Sequence, residues 1–141
     1  MYKQKKMKIL ICLDNSSFAE KLLAAVKTFA DSFTSAAISV VHIVDEQLFY
    51  PTTGYEVQLT ETLQNESEKL KELCIQYLGP DVNFVEEFGI PRLKIDEVLN
   101  EMDYDLLIAG SHSSHGLGER LMGSFAEHLL RISKKPVLII P

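Results

Sequence analysis

Short apolar runs of strand length alternate with segments of helical period along this chain, and that alternation constrains its fold more than any other feature. Residues 7–13 (MKILICL) and 106–109 (LLIA) are nearly unbroken apolar runs, the pattern of parallel strands buried on both faces. Residues 38–44 (ISVVHIV) are β-branched and mostly apolar, and 137–140 (VLII) close the chain in the same way. In 82–88, Val82, Phe84, Glu86 and Phe88 alternate with Asn83, Val85 and Glu87, a polar content that suits an edge strand. Between these runs the period lengthens. Leu22, Leu23, Val26, Phe29 and Ala30 predict a helix over 17–30, opened by the capping box Ser17–Glu20. Leu59, Leu63, Leu70, Leu73, Cys74, Tyr77 and Leu78 predict a second, stopped by Gly79-Pro80. Pro91 opens a third with Leu93, Ile95, Val98, Leu99 and Met102 up to Asp103. Phe125, Leu129, Leu130 and Ile132 mark a fourth over 124–133. Five strands alternating with four helices call for one parallel sheet covered by helices on both faces. Ligands of such sheets sit beyond the carboxyl ends of the strands, where strand order reverses. The expected site is a crevice between the first and fourth strands.

The chain has 141 residues, 46% hydrophobic and 24% charged, which fits a single domain over 1–141 with 1–6 as a flexible, lysine-rich tail. A net charge of -6 and the absence of a dense basic stripe argue against nucleic acid as a partner. No run approaches the ~20 apolar residues of a membrane span, and no secretory h-region precedes the first strand. A cytoplasmic protein is the expectation. Cys12 and Cys74 follow no metal-ligand or redox spacing and are read as buried thiols.

The stretch 105–124 (DLLIAGSHSSHGLGERLMGS) carries the strongest functional signal. A buried strand stops at Gly110 and leads into a loop rich in small and hydroxylated residues. Gly123-Ser124 then opens a helix, with Ser124 and Glu127 as a capping box. The amides of Gly123, Ser124 and Phe125 would form a free helix N-terminus, and together with the loop a phosphate cradle. His112 and His115 lack an accompanying Cys, Asp or Glu, so they are read as bordering the cleft rather than holding a metal. His42, on an apolar strand, is read as a hydrogen-bonded core histidine. Asp14 is either a turn residue or a ligand contact. Residues 47–55 form the longest irregular connection, with a lid, a partner surface or simple packing all open. No nucleophile elbow, Walker A sequence or strand-bound G-x-G-x-x-G occurs, so catalysis beyond slow ATP hydrolysis is not expected.

In this order, KILICLDNS, VVHIVD, FGIP, DLLIAGSHS and GSFAEHLLRISKKPVLIIP resemble the universal stress protein family along the whole chain. The nucleotide motif of its ATP-binding members is matched in spacing by Gly110, Ser113, Gly123 and Ser124, with Ser113 where the family has a second glycine. The resemblance implies an α/β, Rossmann-like, five-stranded parallel sheet of order 3-2-1-4-5. It implies ATP, AMP or ADP with Mg²⁺ as ligand. Asp14 would contact the adenosine moiety, and Cys12 and Ile43 would wall the adenine. Gly110, Ser111, His112 and Ser113 would pass under the ribose and phosphates, and Gly123, Ser124 and Phe125 would donate amides. It also implies a stress-response role and a homodimer through 137–140, where an apolar terminal strand offers an edge for pairing. The family includes members without the motif that bind no ATP, so a nucleotide-free dimeric interaction module is the alternative.

Overall fold

The computed structural model describes residues 5–14, 18–32, 35–46, 56–111 and 122–141, with side chains from residue 63 onward in the helix that begins at Glu56. Among them, strands β1 (Met7–Cys12), β2 (Ala36–Asp45), β3 (Asn83–Gly89), β4 (Leu106–Gly110) and β5 (Val137–Ile140) alternate with helices α1 (Ala19–Ala30), α2 (Glu56–Leu78), α3 (Pro91–Glu101) and α4 (Ser124–Ile132). Every neighbouring pair is parallel, and the order is β3-β2-β1-β4-β5. This is the order expected, with the polar strand β3 at one edge and β5 at the other.

Sheet alternation divides the core in two. Ile9 and Ile11 of β1 face Leu22, Leu23 and Val26 of α1 and Leu70 and Cys74 of α2. Leu10 and Cys12 face Ile95 and Val98 of α3 and Leu129 of α4. Consecutive residues of β1 are thus buried on opposite faces, which is why its sequence is an unbroken apolar run. The chain leaves β1 towards β2 through α1 on one face and leaves β4 towards β5 through α4 on the other. A crevice opens above the β1–β4 pair.

Several element ends differ from the sequence reading. α1 starts at Ala19, with Phe18 as N-cap and no side-chain cap bond; Ser17 lies outside the described residues. α3 stops at Glu101, two residues short of Asp103, and Met102 is already extended. β2 runs longer than expected because it pairs with two strands, through residue 41 to β1 and through residue 45 to β3. α2 ends as the sequence predicts: Gly79 takes φ +93 and returns its amide to Ile75 O at 2.8 Å, a left-handed C-terminal turn that favours glycine. Both cysteines are buried free thiols. Desolvation pushes Cys12 up to about 12 and Cys74 up to about 11, so both stay protonated at neutral pH. The tail residues 1–4 and the loop 47–55 lie outside the described residues. No helix among the described residues is long and apolar enough to cross a membrane.

Candidate functional site

β1 delivers the chain to the crevice through Leu13 and Asp14. Leu13 is tied to β2 twice, its amide donating to Val41 O at 3.0 Å and its carbonyl accepting from His42 Nδ1 at 3.1 Å. A carbonyl can only accept, so Nδ1 carries a proton. His42 is buried and its ring stacks on Phe84, with centroids 6.5 Å apart and planes 27° from parallel. The core-histidine expectation holds, and the ring also fixes where Asp14 emerges.

β4 delivers Gly110 and Ser111. A Cβ on Gly110 would lie 2.7 Å from Phe18 Cε1 and 2.9 Å from Cδ1, so the start of α1 and the end of β4 meet with room for hydrogen alone. Ser111 donates its amide to Ile140 O at 2.9 Å and accepts the amide of Gly123 at 2.7 Å. That second bond clamps the two chain ends flanking 112–121 at the mouth of the crevice.

It also corrects the expected cap. Gly123, at φ -60 and ψ 151, is the N-cap of α4, and there is no side-chain cap bond. Ser124 is the first helical residue. The chain turns into the helix one residue early because the Gly123 amide is held by Ser111. For the same reason the Gly123 amide is not available to a ligand, contrary to the sequence reading. The open amides at this end are those of Ser124, Phe125 and Ala126, which lack intrahelical acceptors by helix geometry; the first helical bond runs from Glu127 N to Gly123 O at 3.1 Å.

These ends enclose a cavity of about 590 Å³, within the range of roughly 300–1,000 Å³ typical of small-molecule sites. Of the residues expected from sequence, Cys12, Asp14, Ile43, Gly110, Ser111, Gly123 and Phe125 line it. Ser124 is exposed at the start of α4 and is not among the lining residues. His112 and Ser113 lie outside the described residues. Three contributions were not anticipated: Arg92 at the start of α3, Glu66 and Ser67 on α2, and His42 itself. Arg92 follows Pro91 directly after β3, at a carboxyl end like the others, and that position was the signal. Ser67 interrupts the apolar stripe between Leu63 and Leu70.

Among the described lining residues the charged side chains are Asp14, Asp45, Glu66 and Arg92. The cleft therefore has three carboxylates to one guanidinium, besides the partial positive charge of the α4 N-terminus. His128 ties the two helices on this face together, its Nε2 donating to Asp96 Oδ1 at 2.8 Å and Arg92 O at 3.2 Å. Among the described residues no cluster of three metal-ligating side chains occurs.

The contact at Gly110 makes a quantitative prediction. Gly110→Ala should cost about 1–3 kcal/mol, the range for overpacking. In a urea-denaturation double-mutant cycle the same change should cost less in a Phe18→Leu background. Equal costs in the two backgrounds would contradict the contact.

The family model described as the universal stress protein family matches residues 6–141. A universal stress protein of Methanocaldococcus jannaschii is 29% identical over 160 residues, covering 99% of this chain and 95% of the relative. The solved structure of that protein superposes with a TM-score of 0.80 at 30% identity, covering 94% of each chain. A universal stress protein in complex with cAMP superposes with a TM-score of 0.67 at 17% identity, covering 96% of each chain. One from Archaeoglobus fulgidus in complex with dAMP gives a TM-score of 0.53 at 19% identity, covering 96% of this chain and 98% of that one. The latter two establish likeness of fold.

Proposed function

The chain belongs to the universal stress protein family, and from that premise we propose that its cleft binds an adenine nucleotide, ATP or AMP/ADP, as the regulatory ligand of a cytoplasmic stress-response dimer. One observation carries the reading. The carboxyl ends of β1 and β4 and the open N-terminus of α4 converge on one cavity of about 590 Å³, and a glycine-walled strand end facing a helix N-terminus suits a phosphate. The cAMP and dAMP complexes of two relatives support the ligand class. Asp14, Cys12 and Ile43 would border the nucleoside. Gly110 and Ser111 would lie under the ribose and phosphates, with His112 and Ser113 continuing that loop. Ser124 and Phe125 would donate amides, while Gly123 acts through its lack of a side chain. Mg²⁺ fits a triphosphate entering a cleft rich in carboxylates, because phosphate and water oxygens can complete its shell.

We read the protein as a binder with at most slow hydrolysis. The Cys12 thiol in the cleft is held protonated by its desolvation, which suits a wall and not a nucleophile. Ser113, in the place of a motif glycine, favours the alternative of a nucleotide-free interaction module. Titration of nucleotide-stripped protein with ATP and Mg²⁺ separates the two, and a Ser113→Gly variant that gains binding absent from wild type would favour the second.

The dimer would form through β5. Leu107 N donates to Pro136 O and Ser111 N to Ile140 O, so the even-numbered residues of this strand face β4. The backbone groups of Val137 and Ile139 point away from it, towards the free edge. Ile139→Pro removes an outward N–H without disturbing the bonds to β4. It should convert the dimer to a folded monomer by light scattering with size exclusion, and a surviving dimer would place the interface elsewhere.

A further inference from the structure

Resting on the nucleotide reading, we propose that Arg92 is a phosphate-reading side chain of the cleft, set beside the open amides of α4 by a bracket of Asp96 and His128. The site then selects its ligand by anionic charge.

Geometry places the guanidinium. Arg92 and Asp96 stand four residues apart, on one stripe of α3. Both meet the same atom of α4, for His128 Nε2 lies 3.2 Å from Arg92 O and 2.8 Å from Asp96 Oδ1. That stripe therefore faces α4. His128 is about one turn along α4 from Ser124, so the first turns of the two helices adjoin at the cleft. Helical side chains lean towards the N-terminus of their own helix. Arg92, the second residue of α3, thus projects towards the helix end, and it lines the cavity together with Phe125 and Ala126 of α4.

Charge gives it a task. The described lining residues carry carboxylates at Asp14, Asp45 and Glu66, and Arg92 is the only lysine or arginine among them. A triphosphate entering there meets like charge on the walls, which a guanidinium offsets with paired donors that match phosphate oxygens. Lys94, the other cation of α3, is engaged on the β3 side, with Nζ 2.9 Å from Glu97 and 3.7 Å from Glu87. Arg92 is exposed, so its backbone rather than tight packing sets where the charge sits. The bond from His128 to its carbonyl fixes that backbone, which makes His128 and Asp96 positioning residues.

The test compares ATP with adenosine, which shares the nucleoside and lacks the phosphates. Affinities of wild type, Arg92→Gln and Arg92→Lys are measured by competition against a fluorescent adenine nucleotide with Mg²⁺, and circular dichroism checks the fold. Arg92→Gln should weaken ATP about tenfold, the worth of a charge-assisted hydrogen bond at an exposed position, and leave adenosine within about twofold of wild type. Arg92→Lys, which keeps the charge without the fork, should restore part of the loss. His128→Leu should weaken ATP about threefold with adenosine again unchanged, and His128→Gln, which keeps a side-chain N–H, should restore it in part. Where adenosine competes too weakly to be measured, salt takes its place: the ATP defect of Arg92→Gln should shrink severalfold between about 0.05 and 0.5 M KCl. Unchanged ATP affinity in Arg92→Gln, equal losses for ATP and adenosine, or a defect independent of salt would overturn the role of Arg92 alone. Unchanged ATP affinity in His128→Leu would overturn the bracket. Failure of wild type to bind ATP would overturn the nucleotide reading and this inference with it.

Discussion

Leu107→Ala should lower the free energy of unfolding by about 3–5 kcal/mol. Leu107 is fully buried at the centre of β4, opposite Leu10 of β1 on one side and Val137 of β5 on the other. It packs in the same cluster as Ile95 and Val98 of α3 and Leu129 of α4. Four elements fixed by their own hydrogen bonds cannot collapse into the space a leucine leaves, so the cavity cost adds to the lost transfer free energy. Leu93 on α3, 62% exposed, is the control: Leu93→Ala should cost less than about 0.5 kcal/mol. Urea denaturation measures both, with a lower midpoint and an unchanged slope expected for Leu107→Ala. Similar losses at the two positions would contradict the two-sided burial of β4.

Gly123→Val should weaken nucleotide binding at least tenfold, about 1.4 kcal/mol, while leaving the protein folded. The backbone at Gly123, φ -60 and ψ 151, is one that any residue adopts, so conformational strain is not the issue. Space is. Gly123 is buried, lines the cleft and stands one residue before the open amides of α4, and two methyl groups there would fill the approach an anion needs. The amide still donates to Ser111 O, so the clamp at the loop mouth survives. Circular dichroism and thermal melting check the fold, and competition against a fluorescent adenine nucleotide checks affinity. Retention of wild-type affinity would remove this end of α4 from the site.

The Leu107 prediction lies where sequence and structure agree, and the Gly123 prediction lies where the structure moved a helix cap. The central strands β1, β2 and β4 were readable because burial on both faces forces nearly continuous apolar runs, and the edge position of β3 was readable from Glu86 and Glu87. Element ends were harder. The Ser124–Glu127 spacing is a capping box in sequence, but the bond from Gly123 N to Ser111 O joins residues distant in sequence and leaves no local pattern. That single tertiary bond moved the cap by one residue and withdrew an amide from the expected cradle. The lining by His42, Ser67 and Arg92 was hidden for a related reason: each sits on an element that the sequence identifies correctly, but which elements border the cleft depends on how α2 and α3 lie across the sheet. Strand ends nominate a site through topology, whereas helices enter it through packing.

The most direct test of the account is a calorimetric titration of nucleotide-stripped protein with ATP in the presence of Mg²⁺. The account predicts saturable binding with one nucleotide per chain, weakened by Gly123→Val. Absence of heat in wild type, together with binding in Ser113→Gly, would contradict it and make this chain a nucleotide-free member of its family.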